Sequence, residues 1–374
     1  MRVHSSGTTT SDLVQVCIGT SLLPGYHTNL LEISDTARKL ILAIIVAFVM
    51  NMHIGPASAG TIDDMFAKGW LDCGVSRDLR GFSSQQANGE WSGFDVDFCR
   101  AVAAATLGDA EAVRFTPLSP SEGFTSLKNG DINLLANHST WTSSGGTELG
   151  LTFPVVTFFD TQALIVRKDM SANSTLQLSG SYVCVIKGTT SAPDVADYFT
   201  KHGMQHELVT SDTFAKALVT YDNGGCDALA ADRAVLHGLA RQLSSPGAHY
   251  LLPENISRSP TEPAIRMGDA AFADAVQWVH FAMLNAEHLG VNTINVWDMD
   301  RSTDPAIMRL LGKTGAFGSD IGLTNVWATI LIRNVGNYGE VYDRNLGQNT
   351  PLALARGQNA LWTNGGLQFA PPIR

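Results

Sequence analysis

The chain has 374 residues, of which 44% are hydrophobic and 16% charged, and its formal net charge at pH 7 is −10. This length suggests two globular domains or one large one, with enough apolar mass for two cores. The acidic balance argues against nucleic acid or an anionic lipid surface as a partner, because both are bound through basic patches.

The N-terminal segment has the pattern of a secretory signal peptide. A basic pair at 38–39 precedes an apolar run over 40–50, and an A-x-A cleavage site ends at Ala59. These three features define such a signal, with an uncleaved membrane anchor as the alternative. Residues 1–36 precede the basic pair, which is unusual, and are interpreted as a mis-assigned extension of the start. We exclude 1–59 from the fold and expect export across the inner membrane to the periplasm.

The cysteines agree with export. Five are present, and Cys17 lies in the segment expected to be removed. The other four are Cys73, Cys99, Cys184 and Cys226. In an oxidising compartment they permit two disulfides in three connectivities, and chain order favours Cys73–Cys99 and Cys184–Cys226. A metal site is the rival interpretation, but no CxxC or CxH spacing exists, so no metal is predicted.

From residue 71 the chain alternates short apolar runs with amphipathic stretches. The predicted elements of this first series are strand 71–75, helix 95–107, strand 112–118, helix 121–129 and strand 132–136. Ser121 is the predicted cap of the second helix. The alternation indicates a parallel sheet with right-handed crossovers. The apolar stretch 151–167 contains Pro154 and is too long for one strand of a small sheet, so we predict that it crosses to a second lobe.

A second series follows. Its predicted elements are strand 182–186, helix 191–201, strand 207–210, helix 212–221 capped by Asp212, strand 227–231, helix 233–243 and, after a second crossing at 262–266, helix 271–287. The expected fold class is therefore α/β, with one lobe inserted in the other. The predicted lobes are 60–160 plus 265–374 and 161–264, and the two crossing strands form a hinge.

Polar side chains follow several predicted strands, at the strand ends where ligands sit in open α/β sheets. Thr189 and Thr190 precede a helix whose backbone N–H groups favour an anion such as a carboxylate, the alternative being a plain cap. Asp232 is placed to pair with an ammonium or to cap the next helix. Phe82 is placed to stack on a ligand, and Thr140 offers a hydroxyl.

Searches for catalytic motifs find nothing. The sequence has no G-x-S-x-G, H-E-x-x-H, phosphate-binding G-x-x-x-x-G-K-[ST] or G-x-G-x-x-G in place. Asp95 and Asp97 lie at a helix start, which suits dipole compensation better than acid–base work. His138 is interpreted as a loop surface residue. We therefore predict neither catalysis nor a cofactor.

Several short motifs between residues 60 and 374 resemble those of amino-acid-binding proteins of polar amino acid ABC importers. They are Cys73-Gly-Val-Ser, Gly81-Phe-Ser, Thr140-Trp-Thr, Gly188-Thr-Thr, Asn285-Ala-Glu, Gly336-Asn-Tyr-Gly-Glu and the run from Gly365 to Arg374. The resemblance is strongest to the general L-amino-acid-binding group of solute-binding protein family 3. It implies a type II periplasmic-binding-protein-like fold that captures an L-amino acid in its cleft and delivers it to the membrane subunits of an importer.

The resemblance also implies roles for residues. Thr140 would contact the polar end of the ligand, Thr189 and Thr190 its α-carboxylate, and Asp232 its α-ammonium. The family places an arginine three residues after the second threonine of its T-x-T motif, where this sequence has Gly145. Losing that bidentate contact would cost roughly 2–5 kcal/mol of affinity.

Three interpretations of this departure stay open. Another cation compensates, the nearest in the loops being Arg80, Lys187 and Arg233; or the ligand lacks a free carboxylate; or the chain is a degenerate homologue that acts as a sensor or scaffold. A periplasmic lyase on the same fold is a further alternative, and it would need an acid–base pair facing the cleft.

Overall fold

The computed structural model describes residues 60–143, 146 and 148–374. The predicted signal peptide, with its extension, and Gly145 lie outside the described residues. Within the described ranges no helix is long and apolar enough to cross a membrane.

The described chain forms two β-sheets flanked by helices, together with a small hairpin. The strands are β1 (Leu71–Ser76), β2 (Ser84–Gln85), β3 (Trp91–Ser92), β4 (Val113–Leu118), β5 (Leu134–Ala136), β6 (Leu151–Thr152), β7 (Phe158–Arg167), β8 (Ser181–Ile186), β9 (His206–Ser211), β10 (Ala228–Asp232), β11 (His249–Leu251), β12 (Ser257–Thr261) and β13 (Ala264–Arg266). The main helices are α1 (Thr61–Lys68), α2 (Phe94–Leu107), α3 (Pro120–Asn129), α4 (Ser191–Lys201), α5 (Phe214–Asp222), α6 (Arg233–Ala240), α7 (Ala270–His288), α8 (Pro305–Leu310), α9 (Trp327–Asn334) and α10 (Tyr338–Asn345).

The first lobe is built on a five-stranded sheet in the order β4-β1-β5-β13-β6. β1 pairs in parallel with β4 and β5, whereas β13 pairs antiparallel with β5 and β6. The side chains of β1 are almost all buried, because helices cover both faces of the sheet. One of these helices, α2, packs between the sheet and helices α7 and α9. The parallel strands therefore end together at one edge of this sheet.

The second lobe is built on a six-stranded sheet in the order β11-β7-β10-β8-β9, with β12 paired to β7. β8 runs parallel to β9 and β10, and β7 runs antiparallel to β10, β11 and β12. The carboxyl ends of β8 and β10 again meet at one edge. The predicted α/β class with two sheet-containing lobes is confirmed.

The chain passes between the lobes twice, from β6 to β7 and from β12 to β13. The two passages are neighbours, since Phe158 faces Thr261 in the β7–β12 ladder and the N–H of Thr157 donates to the carbonyl of Thr261 at 3.0 Å. Two adjacent connections of this kind form a hinge.

Each lobe contains one disulfide, and both are the pairs that chain order favours. Cys73–Cys99 joins β1 to α2, and Cys184–Cys226 joins β8 to the turn before β10. In the chain-entropy model, closing loops of these lengths contributes about 3–4 kcal/mol each.

Two helix caps differ from prediction. α3 is capped by Ser119 rather than Ser121: the Ser119 hydroxyl accepts from the N–H of Glu122, whose carboxylate accepts from the N–H of Ser119. This reciprocal S-x-x-E pairing satisfies two backbone donors at once, which Ser121 cannot do. α5 is capped by Thr213 rather than Asp212, because the Thr213 hydroxyl accepts from the third helical N–H.

The C-terminal segment braces the first passage between the lobes. The hydroxyl of Tyr338 and the side-chain amide of Gln368 both donate to the carbonyl of Thr157, at 3.0 and 3.1 Å. The side chain of Asn359 bonds both the N–H and the carbonyl of Phe159. The start of β7 is therefore fixed by hydrogen bonds from C-terminal residues that belong to neither sheet.

Candidate functional site

A cavity of about 380 Å³ lies where strand ends of both lobes meet. Its walls come from the loop after β5, residues 137–142, from 148–153, from the loop between β8 and α4, and from the end of β10. This volume suits a small molecule.

Four of the five predicted ligand contacts lie on this cavity. Thr140, Thr189, Thr190 and Asp232 all line it. Phe82 does not: its side chain is fully buried, and its ring centroid lies 4.1 Å from that of His138, which does line the cavity. Phe82 therefore supports the wall from behind.

The predicted compensating cations lie elsewhere. Arg80, Lys187 and Arg233 are absent from the cavity lining, and no lysine or arginine occurs among its described residues. The Arg233 guanidinium donates to three consecutive backbone carbonyls, 252–254, in its own lobe. Lys187 is exposed to solvent.

The loop before α4 is shaped by its own hydroxyls. The Thr189 hydroxyl donates to the carbonyl of Ile186 at 2.8 Å and accepts from the N–H of Ser191 at 3.3 Å. The Thr190 hydroxyl is buried and makes no hydrogen bond of normal geometry, although it helps to lower the pKa of the Asp194 carboxyl, which burial raises. Thr189 thus fixes the loop, and Thr190 keeps donor capacity.

Gly188 brings this second-lobe loop against the first lobe. Its φ is +83°, and a Cβ at this position would lie 2.7 Å from the backbone nitrogen of Ser121. Only glycine tolerates both the left-handed conformation and this approach. The contact lies beside the cavity, which Gly188 also lines.

His138 is not the surface residue that the sequence predicts. Its side chain is only 2% exposed. Its Nε2 lies 3.6 Å from Oδ2 of Asp160 and 3.6 Å from Oδ2 of Asp232. Asp160 lies on β7, so these carboxylates come from the second lobe and the imidazole from the first. The prediction was wrong because the burial of His138 depends on residues far along the chain.

The charges around His138 are strongly coupled. Burial disfavours its imidazolium, but the carboxylates of Asp160, Asp232 and Asp95 outweigh this and raise its pKa. Burial raises the pKa of Asp232 to about 7, although His138 opposes the rise, and the pKa of Asp95 to about 6. Gln162 donates to Asp232 at 2.9 Å. Three carboxylates around one imidazole leave an excess of negative charge that suits an ammonium.

The site contains three further residues that the sequence patterns do not predict. For Asp160 one feature of the sequence could have indicated a role in the site, because it is a charged residue inside an otherwise apolar stretch. Asn137 and Glu148 line the cavity but carried no motif. Among the described residues, no group of His, Cys, Asp or Glu is arranged to hold a metal ion.

Two α/β lobes on a double connection, with a ligand-sized cavity between their strand ends, define a hinged binding protein. Residues 71–290 match the model of the bacterial extracellular solute-binding proteins, family 3, and the chain belongs to this family.

Similar proteins extend the match beyond these residues. The chain is 44% identical over 339 residues to the general L-amino acid-binding periplasmic protein AapJ of Rhizobium johnstonii, covering 90% of this chain and 99% of that protein. It is 41% identical over 321 residues to the glutamate/glutamine/aspartate/asparagine-binding protein BztA of Rhodobacter capsulatus, covering 86% and 95%.

A solved structure shows a similar fold over most of this chain. The periplasmic binding protein of an ABC transporter from Brucella ovis, with glutathione bound, has a TM-score of 0.82 and 45% identity, covering 84% of this chain and 100% of that one. The type II periplasmic-binding-protein fold and the family resemblance are thereby confirmed. The family and these relatives are solute-binding proteins.

Proposed function

We propose that this chain is an extracytoplasmic solute-binding protein that captures an L-amino acid and delivers it to the membrane subunits of an ABC importer. One observation carries the proposal: a single cavity is lined by the buried carboxylate of Asp232 and by the helix-start loop with Thr190. Ammonium and carboxylate groups need these two environments. The amino-acid-binding roles of the similar proteins AapJ and BztA support the same function.

Within this proposal, Asp232 binds the α-ammonium. Thr140, Thr190 and the loop fixed by Thr189 bind the polar opposite end, and Phe82 holds the His138 wall in place. The lobes divide at the predicted bounds, 60–160 plus 265–374 and 161–264, except that 158–160 pair within the second sheet and Ala264 within the first. The protein works in the periplasm, and binding closes the hinge.

We propose no catalytic turnover. Among the described residues, the pair formed by His138 and Asp232 favours the lyase alternative, because it places a potential acid and base on the cavity. NMR spectra of the solute distinguish a binding protein from a lyase. They are recorded after the protein has been incubated with each amino acid that binds. A binding protein returns the solute unchanged, whereas a lyase yields product in amounts exceeding the protein.

A screen of the twenty amino acids by thermal shift and calorimetry tests the proposal. A ligand that binds only the folded state raises the free energy of unfolding, by about 2.7 kcal/mol at one hundred times Kd. Asp232→Asn should weaken binding at least tenfold because the ammonium loses its ionic partner. Glu207→Gln, a surface change on β9, is the control that should bind normally. A screen without any hit would contradict the function and favour the degenerate homologue.

A further inference from the structure

The described residues that line the cavity include acidic side chains but no lysine or arginine. Asp232 lies buried in its inner wall and Glu148 is exposed at its rim, while no lysine or arginine is among the described lining residues. Positions 144, 145 and 147 of the adjoining segment are Ser, Gly and Thr in the sequence, so they add no positive charge.

His138 does not restore the balance. Its imidazole, the one ionisable base among the described residues of the cavity wall, faces Asp160 and Asp232 at 3.6 Å each. Asp95 also contributes negative charge to the same ring. Any positive charge on His138 is therefore already shared among carboxylates of the protein.

The donors left for a ligand are neutral. The side-chain nitrogen of Asn137 is buried and has no hydrogen-bond partner among the described residues, and the Thr190 hydroxyl makes none of normal geometry. Both residues line the cavity. Such groups can hold one carboxylate or carbonyl through hydrogen bonds, but they supply no ion pair.

The apolar part of the cavity wall is largely aromatic. Half-buried Phe124, Leu149, Phe153 and Phe214 line the cavity. Aromatic faces accept aliphatic stems, and they also attract ammonium and guanidinium groups.

Building on the proposed function, we propose that this cavity selects solutes of net positive charge with an aliphatic stem, namely basic amino acids and the corresponding amines or guanidines. One positive group pairs with Asp232 and the other with Glu148. The α-carboxylate is dispensable, because only neutral donors meet it. A second carboxylate would find no cation and would approach Glu148, so acidic solutes are rejected.

Calorimetry on the wild-type exported protein at low salt tests this selection. The probes are arginine, agmatine, glutamine, glutamate and glutathione. Arginine should bind tightest, agmatine within about tenfold of it, glutamine at least tenfold more weakly than arginine, and glutamate and glutathione undetectably.

Three results would contradict the proposal. Glutamate or glutathione binding as tightly as arginine overturns the selection while supporting the amino-acid-binding function. Loss of agmatine binding by more than a hundredfold overturns the dispensable carboxylate. If no amino acid or amine binds, the proposed function fails and the selection fails with it.

Single substitutions test whether Glu148 contributes to the selection of positively charged solutes. Glu148→Gln should weaken arginine binding about three- to tenfold and leave glutamine binding unchanged, because the exposed acid meets only the distal cation. Glu207→Gln, which changes the charge equally but lies away from the cavity, should alter neither. Equal effects of the two glutamate variants would overturn the role of Glu148.

Discussion

At His138 one side chain connects the two lobes through charge. The imidazole belongs to the loop after β5, and its ionic partners Asp160 and Asp232 belong to the second lobe. Its buried surroundings also hold Asp95, while Asp194 adds negative charge near Asp232. The protonation of this cluster is therefore linked to the occupancy of the cavity.

This linkage predicts a pH dependence of ligand affinity. An ammonium binds best to ionised Asp232, whose pKa burial raises to about 7 against the opposing effect of His138. As pH falls below 7, Asp232 takes up a proton and loses the negative charge that holds the ligand's ammonium. The affinity for the tightest-binding amino acid should fall by up to about tenfold per pH unit from 7 to 5.5 and level off above 8.

Calorimetry in two buffers of different ionisation enthalpy measures both the affinity and the protons released on binding. Below pH 7 binding should release up to one proton. An affinity that stays constant from pH 8 to 5.5 would exclude Asp232 as the titrating ligand contact.

The sequence predicts Asp232 and the Thr189–Thr190 loop because strand ends gather at one edge of a sheet, a rule that local patterns can apply. It fails for His138 and Asp160. Their proximity depends on the packing of one lobe against the other, and no local periodicity records that packing.

At the scale of elements, the sequence predicts the long periodic segments to within a few residues of their observed ends. For α4 the predicted and observed ends coincide. The prediction errors lie where two residues could serve as the same helix cap, or where a strand is too short to show a periodic pattern. Ser119 and Ser121 both suit a cap, and only the pairing with Glu122 decides between them. β6 and β13 have two and three residues, too few for a period, so their places in the first sheet could not be read from the sequence.

The loop between β8 and α4 gives a prediction for glycine. Gly188→Ala would place a Cβ 2.7 Å from the backbone nitrogen of Ser121, so the loop must move away from the first lobe. Affinity should fall about ten- to a hundredfold because the cavity cannot close to its observed shape. Gly180→Ala is the matched control, since Gly180 has φ +86° but open space around it.

Both variants should lose about 1 kcal/mol of stability from the strained conformation, measured by urea unfolding. Only Gly188→Ala should lose affinity in calorimetry. Equal affinities in the two variants would show that the contact with Ser121 does not shape the cavity.

At the scale of the whole molecule, the two lobes are joined at a braced point. Gln368 donates to the carbonyl of Thr157 and bonds Nε2 of His280 at 3.0 Å, and all three residues are buried. Burial lowers the pKa of His280 to about 4, so the ring remains neutral near pH 7. The passage between the lobes thus rests on a buried polar network.

Breaking this network should destabilise the molecule without touching the cavity. Gln368→Leu leaves the carbonyl of Thr157 with fewer donors and Nε2 of His280 without its partner, which should cost about 1–3 kcal/mol of unfolding free energy. Gln368→Glu retains an acceptor and should lose less near pH 5 than at pH 8, where its buried carboxylate would be charged. Urea titration measures both, and a Leu variant as stable as wild type would contradict the bracing role.

The contacts from Tyr338 and Gln368 to Thr157 join residues 181 and 211 apart in sequence. Contacts of such separation form slowly, because a long intervening chain must be ordered first. We therefore expect these contacts at the joint between the lobes to form late during folding. A folding chain would then pass through a stage in which both sheets are formed and the connection is loose, and in that stage it should be open to proteases and unable to bind ligand.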